Sequence, residues 1–535
     1  MKRYIGLPLL LLCACSGTSV KFFDSTLIEG RGQPPRESIR PIVWGGGLPL
    51  KSFDPNGAAG WCEVTSLLHA RLFTTDTRGR LSNDLAADAR TEGDGRTWVI
   101  RLRDDGRWHD GAAVTARDVM ATWKALAADP KSETRRNLVD VAGVVSVEAS
   151  GDSVRFNLSR PFPELADILT EMAVLPAHII GAGPGAIEKR PIGAGPFRLV
   201  RQSAGTFAMA PHEQWHGGGV RPPALVLKII EDDRERARAL AGGMVDAAHV
   251  KPESLALVGD PARFRVHRAS SGVIRAMPLD ARAPGLANPR VRRALAALVD
   301  RGELIKEALG GFGRPAWQLL APGSPGFVSS LDQSRMTHDE ATALLDAAGW
   351  PVSEGGLRKK NGETLKVRVV GWQGEAFRRK ASDLIVKTWR AAGVDAEVIP
   401  VDHAGYTALA QDLGGRAEAF VGGWGALRMP VTVLARKVGT DGAQNRGHFS
   451  HPGIDKALGD AAASALNADR MASVREIQLM LDEQVPWIPL AYPDYLFAVR
   501  VEVEGLTFGL VDSWYEWPRH LWRARWKAEA GSQRR

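Results

Sequence analysis

Residues Glu92 to Leu126, EGDGRTWVIRLRDDGRWHDGAAVTARDVMATWKAL, carry the chain from sheet to helix within thirty-five positions. Gly93 and Gly95 supply turn conformations, and Trp98, Ile100 and Leu102 alternate as one side of a half-buried strand. Asp105-Gly106 turns the chain again, and His109 to Gly111 forms a third turn ahead of a helix. Thr115 and Asp118 stand at capping-box spacing, with Asp shorter than the usual Glu. Val119, Trp123 and Leu126 then follow on one helical face.

Working outward, Pro41-Ile42-Val43-Trp44 reads as a strand ending at Gly45-Gly46-Gly47, followed by Phe53-Asp54-Pro55 and an amphipathic helix from Val64 to Leu72. Downstream, Val154, Phe156 and Leu158 alternate as a strand, and Ile192-Gly193-Ala194-Gly195-Pro196-Phe197 forms a turn. Leu199 to Met209 reads as a hairpin partner, Ala224 to Ile230 as a buried strand, and Arg234 to Leu240 as a helix ending at Gly242-Gly243-Met244-Val245-Asp246. Asn288-Pro289 opens a helix with Asn as cap and Pro at its first position, and Val291, Ala294, Leu295, Leu298 and Val299 mark its core face. Ala341 to Trp350 is another helix, with Gly349 placed to end it. Lys366 to Val370, Ala376 to Ala392 and Ala396 to Val401 form a strand-helix-strand unit, which predicts a right-handed crossover in a largely parallel second sheet. A late helix covers Ala472 to Leu481, and Val485-Pro486-Trp487-Ile488-Pro489-Leu490 leads into the last strands.

The chain has 535 residues, too many for one compact core, so two or three lobes are expected. Hydrophobic residues at 44% and charged residues at 24% are an ordinary globular composition. The formal charge of +8 rests mainly on scattered Arg and reads as a solvated surface, not a nucleic-acid footprint. Lys2 and Arg3, the apolar stretch Ile5 to Leu12 and Leu12-Cys13-Ala14-Cys15 read as an export signal of lipoprotein type, with Cys15 as the lipid-bearing residue. Ser16 to Arg40 lacks an apolar period and reads as a tether. With Cys15 acylated, Cys62 has no partner for a disulfide.

The W-H-D-G turn, the T-x-x-D-V helix start, F-D-P, G-A-G-P-F, the G-x-x-D turn, NPRVRRALAALVDRGELIKEAL and ATALLDAAGW together resemble the bacterial extracellular solute-binding proteins of family 5. This is the dipeptide, oligopeptide and nickel-binding group. The likeness runs in order from about Ile42 to Val499. It implies an α/β, two-lobed periplasmic-binding-protein-like fold (type II, large cluster with an extra subdomain) with the ligand cleft between the lobes. The expected division is 1–14 signal, 15–40 tether, 41–55 with 190–271 and 490–535 as lobe I, 56–189 as the extra subdomain, and 272–489 as lobe II. The two crossovers are expected near Arg268 to Met277 and near Pro489. The implied function is a substrate-binding lipoprotein of an ABC importer, in the periplasm or at the cell surface. It would act as a monomer that closes on a small or peptide-like solute and passes it to a permease with its ATPase. No catalysis, cofactor or metal is implied; a sensor without transport is the other reading.

His212-Glu213-Gln214-Trp215-His216 matches H-E-x-x-H, which needs a helix to bring both imidazoles to one face. Pro211 before it and Gly217-Gly218-Gly219 after it argue against that helix, so a loop is expected and a zinc-dependent hydrolase is not. On this reading His216→Ala leaves fold and ligand affinity intact. His448 and His451 read as loop histidines, and Cys62 stands too far from His69 for a catalytic pair. No G-x-S-x-G, S-x-x-K or phosphate-binding glycine loop occurs.

Among sixteen tryptophans, Trp98 and Trp389 fall on core faces. Trp44 with its neighbour Gly46, Trp61, Trp372 and Trp424 lie at strand ends or beside glycines, and with Arg428 they are the candidate ligand-binding residues. Peptide-binding family members carry W-x-x-D where this chain has Trp424 to Leu427, and the resemblance assigns that Asp to the peptide α-ammonium. Leu427 cannot supply the pair, while Arg428 offers a fork to an acid. The ligand expected is therefore an anionic or amine-blocked solute; the other reading leaves Arg428 as a surface loop residue and has an acid from elsewhere, such as Asp402, anchor an ammonium.

Overall fold

The computed structural model describes residues 40–57, 60, 62–183, 185–332, 336–413, 415–425, 428–464, 466–510 and 517–527. The signal and tether, Cys15, Trp61 and Leu427 lie outside the described residues.

Strand β1 (Ile42–Gly46) is followed by helix α1 (Glu63–Leu68), which ends four residues before its apolar period predicts. Tertiary hydrogen bonds end it. The Gly195 N–H donates to the Leu68 carbonyl at 2.8 Å, and the Arg71 N–H is taken by Asp84 Oδ2 at 2.8 Å. A Cβ on Gly193 would stand 1.9 Å from the Leu68 oxygen, and one on Gly195 2.5 Å from that of Leu67. The G-A-G-P turn therefore uses glycine for close backbone approach.

The opening stretch is the centre of a small α/β unit. Strands β2 (Ala86–Glu92) and β3 (Thr97–Leu102), helix α2 (Ala116–Ala127), and strands β4 (Val144–Ser150) and β5 (Ser153–Leu158) give an antiparallel sheet in the order β2-β3-β5-β4. Ile100, Leu102, Val119, Trp123 and Leu126 share one core with Trp108. The Thr115 N–H and hydroxyl donate to Asp118 Oδ2 at 2.7 and 3.0 Å, so the short Asp does reach the cap. The W-H-D-G turn clasps the glycine turn: His109 N–H donates to Gly193 O at 2.8 Å, and Gly193 N–H returns to His109 Nδ1 at 3.1 Å.

Next come the hairpin β6 (Phe197–Ser203) and β7 (Thr206–Pro211), strand β8 (Leu225–Ile229), helix α3 (Asp233–Ala241), and strands β9 (Ala247–Val250) and β10 (Phe264–Ser270). After β11 (Val273–Pro278), helix α4 (Pro289–Ala297) starts as read, with Asn288 Oδ1 accepting from the Arg290 N–H at 2.9 Å. Strand β12 (Lys366–Trp372), helix α5 (Ala376–Ala391), strand β13 (Asp395–Val401) and the short β14 (Ala419–Phe420) form the parallel sheet β13-β12-β14 of the second lobe. Trp389 is fully buried there and its indole N–H donates to Leu295 O at 2.9 Å.

Strand β15 (Gly422–Gly425), helix α6 (Pro430–Val438) and helix α7 (Asn467–Gln484), longer than its predicted 472–481, lead to β16 (Trp487–Arg500). This fourteen-residue strand belongs to both lobes. Its first half pairs with β11 (Met277 with Ile488), and its second half with β9 and β10 (Ala247 with Val499, Val266 with Ala498). The sheet runs β15-β11-β16-β9-β1-β8-β7-β6. The two passages between lobes are adjacent, with the Ser271 hydroxyl donating to Pro493 O at 2.5 Å.

Two buried histidines make this fold acid-sensitive. Burial, with Arg71 nearby, pushes the His69 pKa down to about 4; burial with Arg519 and Arg523 does the same for His520. Between pH 6.5 and 4 the unfolded chain binds these protons and the native chain does not, so stability falls as pH falls through that window. Each fully coupled histidine accounts for about 3 kcal/mol. Urea unfolding of wild type and His69→Gln from pH 7 to 4 is expected to show a shallower loss in the variant.

Candidate functional site

A cavity of about 790 Å³ is walled by both lobes and the small unit, within the usual size of small-solute sites. Its second-lobe wall is built on the sequence Val421-Gly422-Gly423-Trp424. A Cβ on Gly422 would stand 2.1 Å from the Trp424 ring, and one on Gly423 2.5 Å from the Arg275 guanidinium. The paired glycines thus let an indole and a guanidinium lie flat against β15. The Arg275 guanidinium is 5.0 Å from the Phe377 ring centroid and 3.9 Å from Glu375, a carboxylate also 3.6 Å from Arg378. Burial pushes the Arg275 pKa down, opposed by Glu375.

Trp424 lines the cavity and meets Trp487 edge-on at 4.6 Å. The Lys437 ammonium lies to one side of the pair, 4.4 Å from the first centroid and 5.2 Å from the second. Lys437 is 3% exposed. Its side chain donates to Gln444 Oε1 at 3.2 Å, and burial first, then the like charges of Arg436 and Arg446, hold its pKa well below 10.5.

The lobes meet across the cavity's edge. Glu164, from the small unit, accepts the Val431 and Thr432 N–H groups at 3.0 and 3.1 Å and the Thr432 hydroxyl at 2.6 Å. It thereby caps α6 from 267 positions away in sequence. Burial pushes the Glu164 pKa up, and these three donors oppose the shift. Arg428 lines the cavity and donates to the Thr170 hydroxyl of the small unit.

Of the sequence candidates, the structure brings Trp424 and Arg428 into the cavity wall. Trp44 belongs to the first-lobe core: it is fully buried and stacked on Trp517 at 5.2 Å, beside Phe497. Gly46 is used for packing, since a Cβ there would stand 3.0 Å from Ile229. Trp372 stacks on Tyr406 at 5.4 Å with Arg378 over its ring, outside the cavity wall. Trp61 lies outside the described residues. Asp402 caps the helix His403–Gln411 through the Gly405 N–H at 2.8 Å.

Sequence reasoning missed Arg275, Lys437 and Glu164. Lys437 did leave a signal: it falls three residues after Leu434 on the buried face of an amphipathic helix, where a lysine is out of pattern. Glu164 left none.

The His212 and His216 side chains have separate partners on non-helical chain. His212 Nδ1 is 3.1 Å from Gly195 O, and His216 Nε2 is 2.6 Å from Asp84 Oδ1. Among the described residues no group of three His, Cys, Asp or Glu side chains is placed to hold a metal. His451 caps a helix through the Ile454 N–H at 3.2 Å, and burial pushes the Cys62 thiol pKa up.

The model of "Bacterial extracellular solute-binding proteins, family 5 Middle" matches residues 80–443. Protein XP55 of Streptomyces lividans is 28% identical over 449 residues, covering 82% of this chain and 80% of its own. The nickel-binding periplasmic protein of Escherichia coli K12 is 26% identical over 439 residues, 78% and 82% of the two chains. The oligopeptide-binding protein AppA of Bacillus subtilis, solved with a nonapeptide, superposes with TM-score 0.69 at 19% identity over 92% of this chain and 99% of its own.

The buried His216–Asp84 pair changes the expectation for His216→Ala. Asp84 would keep Arg519 at 3.5 Å but lose its shortest partner, costing about 1–3 kcal/mol. Urea titration should show that loss, while calorimetry with the protein's ligand should show unchanged affinity.

Proposed function

The chain belongs to the bacterial extracellular solute-binding proteins of family 5, and from that premise we propose how it captures a solute for an ABC importer. A small solute enters between the lobes, lies against Trp424, and is enclosed when the small unit docks on α6. One observation carries this reading: the cavity has walls from both lobes, and the lobes are bonded to each other at its edge through Glu164 and Arg428. Ligand binding then selects the closed form because contacts to both walls exist only there. Arg428, on this account, is a closing contact to Thr170 as much as a ligand contact.

The division into lobes follows the same logic: 41–55 with 190–271 and 490–535, an extra subdomain at 56–189, and 272–489. The core of the small unit supports it: its buried residues run from Ala70 to Ala194, overlapping the lobe I segment only at Ile192 and Ala194, with Met429 packed on its outside. Relatives named for nickel and for oligopeptides bracket the solutes this fold accommodates. The partners are a permease and its ATPase, met as a monomer.

Delivery from the membrane surface requires an anchor, which we assign to acylated Cys15. In detergent-phase partition the wild type is expected in the detergent phase and Cys15→Ser in the aqueous phase; equal partition contradicts the anchor.

Mass spectrometry of the solute that co-purifies with the full chain identifies the ligand, and small-angle scattering should show contraction when it is returned to stripped protein. Glu164→Ala removes bonds made only on closure. It is expected to weaken that ligand about tenfold, as the loss of one or two net hydrogen bonds would, through faster release and without contact to the ligand. An affinity equal to wild type, with contraction intact, would argue against docking on α6.

A further inference from the structure

Lys437 stands out in the cavity as a buried cation whose surroundings supply π faces and an amide but no countercharge. Its ammonium rests over Trp424 and Trp487 and donates to the Gln444 carboxamide. Among the described residues it forms no ion pair, and the charged groups that act on it, Arg436 and Arg446, carry its own sign. The last turn of α6 offers it partial negative charge, but burying an ammonium costs more than a helix terminus returns. Arg275, far from Lys437 in sequence, reaches the same wall with its Nε unpaired.

The carboxylates around the cavity do not answer Lys437. Glu375 is divided between Arg275 and Arg378. Asp494 lies 2.5 Å from Arg268, and Glu171 accepts from the Asn137 amide at 2.7 Å. Glu133 and Glu253 are exposed. What remains is a wall with unanswered positive charge beside an aromatic face.

We propose that Lys437 is the specificity-determining group of the cleft: it receives an oxyanion on the solute, a carboxylate or a phosphate, while the neighbouring part of the solute lies on Trp424. This rests on the cleft reading above and narrows its ligand to an acid. An anion seated on the ammonium replaces the missing countercharge inside a desolvated wall, where a charge-assisted hydrogen bond is stronger than at the surface. The neutral amide of the same solute offers no such gain. Burying the ammonium without a countercharge from the protein therefore costs stability, which an apolar residue of similar length would relieve.

The test uses the full chain, stripped of co-purified solute, and calorimetry with three probes: a mixed N-acetyl tripeptide library with free carboxyl termini, the same library C-terminally amidated, and glycerol phosphate. At least one acid probe is expected to bind, and the free-carboxyl library at least 30-fold more tightly than its amide if the acid is a carboxylate. If glycerol phosphate alone binds, the acid is a phosphate. Lys437→Gln should abolish the preference and Lys437→Arg should retain it. Lys437→Met should abolish it too, yet raise the urea midpoint, which a purely structural lysine would not do. Amides binding as well as acids, Lys437→Met keeping the acid preference, or all three probes failing would each overturn the proposal. The co-purified solute separates the two readings: if it still binds and contracts the wild type, solute capture stands although acid recognition has failed.

Discussion

The physical constraint behind this structure is that a buried strand must have both backbone edges satisfied, and β16 meets it by pairing with a different lobe at each end. Residues Trp487 to Ala491 complete the second lobe's edge against β11; Asp494 to Arg500 lie between β9 and β10 of the first. The switch falls at Pro493, whose carbonyl accepts the hydroxyl of Ser271 from the neighbouring passage between the lobes. Two lobes are thus held by one hydrogen-bonded seam. Rotation about that seam leaves the ladders on either side intact, while the cavity on one face of it opens or closes.

The bonds that join the small unit to the second lobe at the cavity's edge, through Glu164 and Arg428, are polar and span long sequence distances, with Met429 as an apolar contact beside them, whereas what builds each lobe is apolar and mostly regional. The fully buried residues of the small unit's core run from Ala70 to Ala194, with Met429 of the second lobe packed against them. The bond from Glu164 to α6 joins two such finished bodies. A helix N-terminus presents several unpaired N–H groups, and in the closed form the carboxylate takes two of them in place of water. That exchange is close to balanced, which suits a contact that must be made and released repeatedly.

The sequence was legible where one stretch contained its own reasons. Thr115 and Asp118 lie three residues apart and cap α2 as their spacing requires, and the strand-helix-strand unit from Lys366 to Val401 folded as read. The glycine turn was legible as a pattern, but its cause, the carbonyls of Leu67 and Leu68, lies more than a hundred residues upstream. Trp44 and Trp424 look alike locally, each an indole beside glycines at a strand end. One sits under the central sheet against Trp517, the other on an edge strand facing the cavity, and only strand order separates them. Helix α1 stopped early for the same kind of reason, because its last carbonyls were needed by Gly195.

The placement of β16 also sets the order in which the molecule can become itself. Strand β9 meets its neighbour Val499 some 250 positions later in the chain, and β1, through β9, waits for it as well. Until that strand emerges, the first lobe exposes an unpaired edge and half a core, while the small unit has every contact it needs. High contact order of this kind slows folding. The strand that joins the two lobes is therefore also the piece on which completion of the first lobe's central sheet depends.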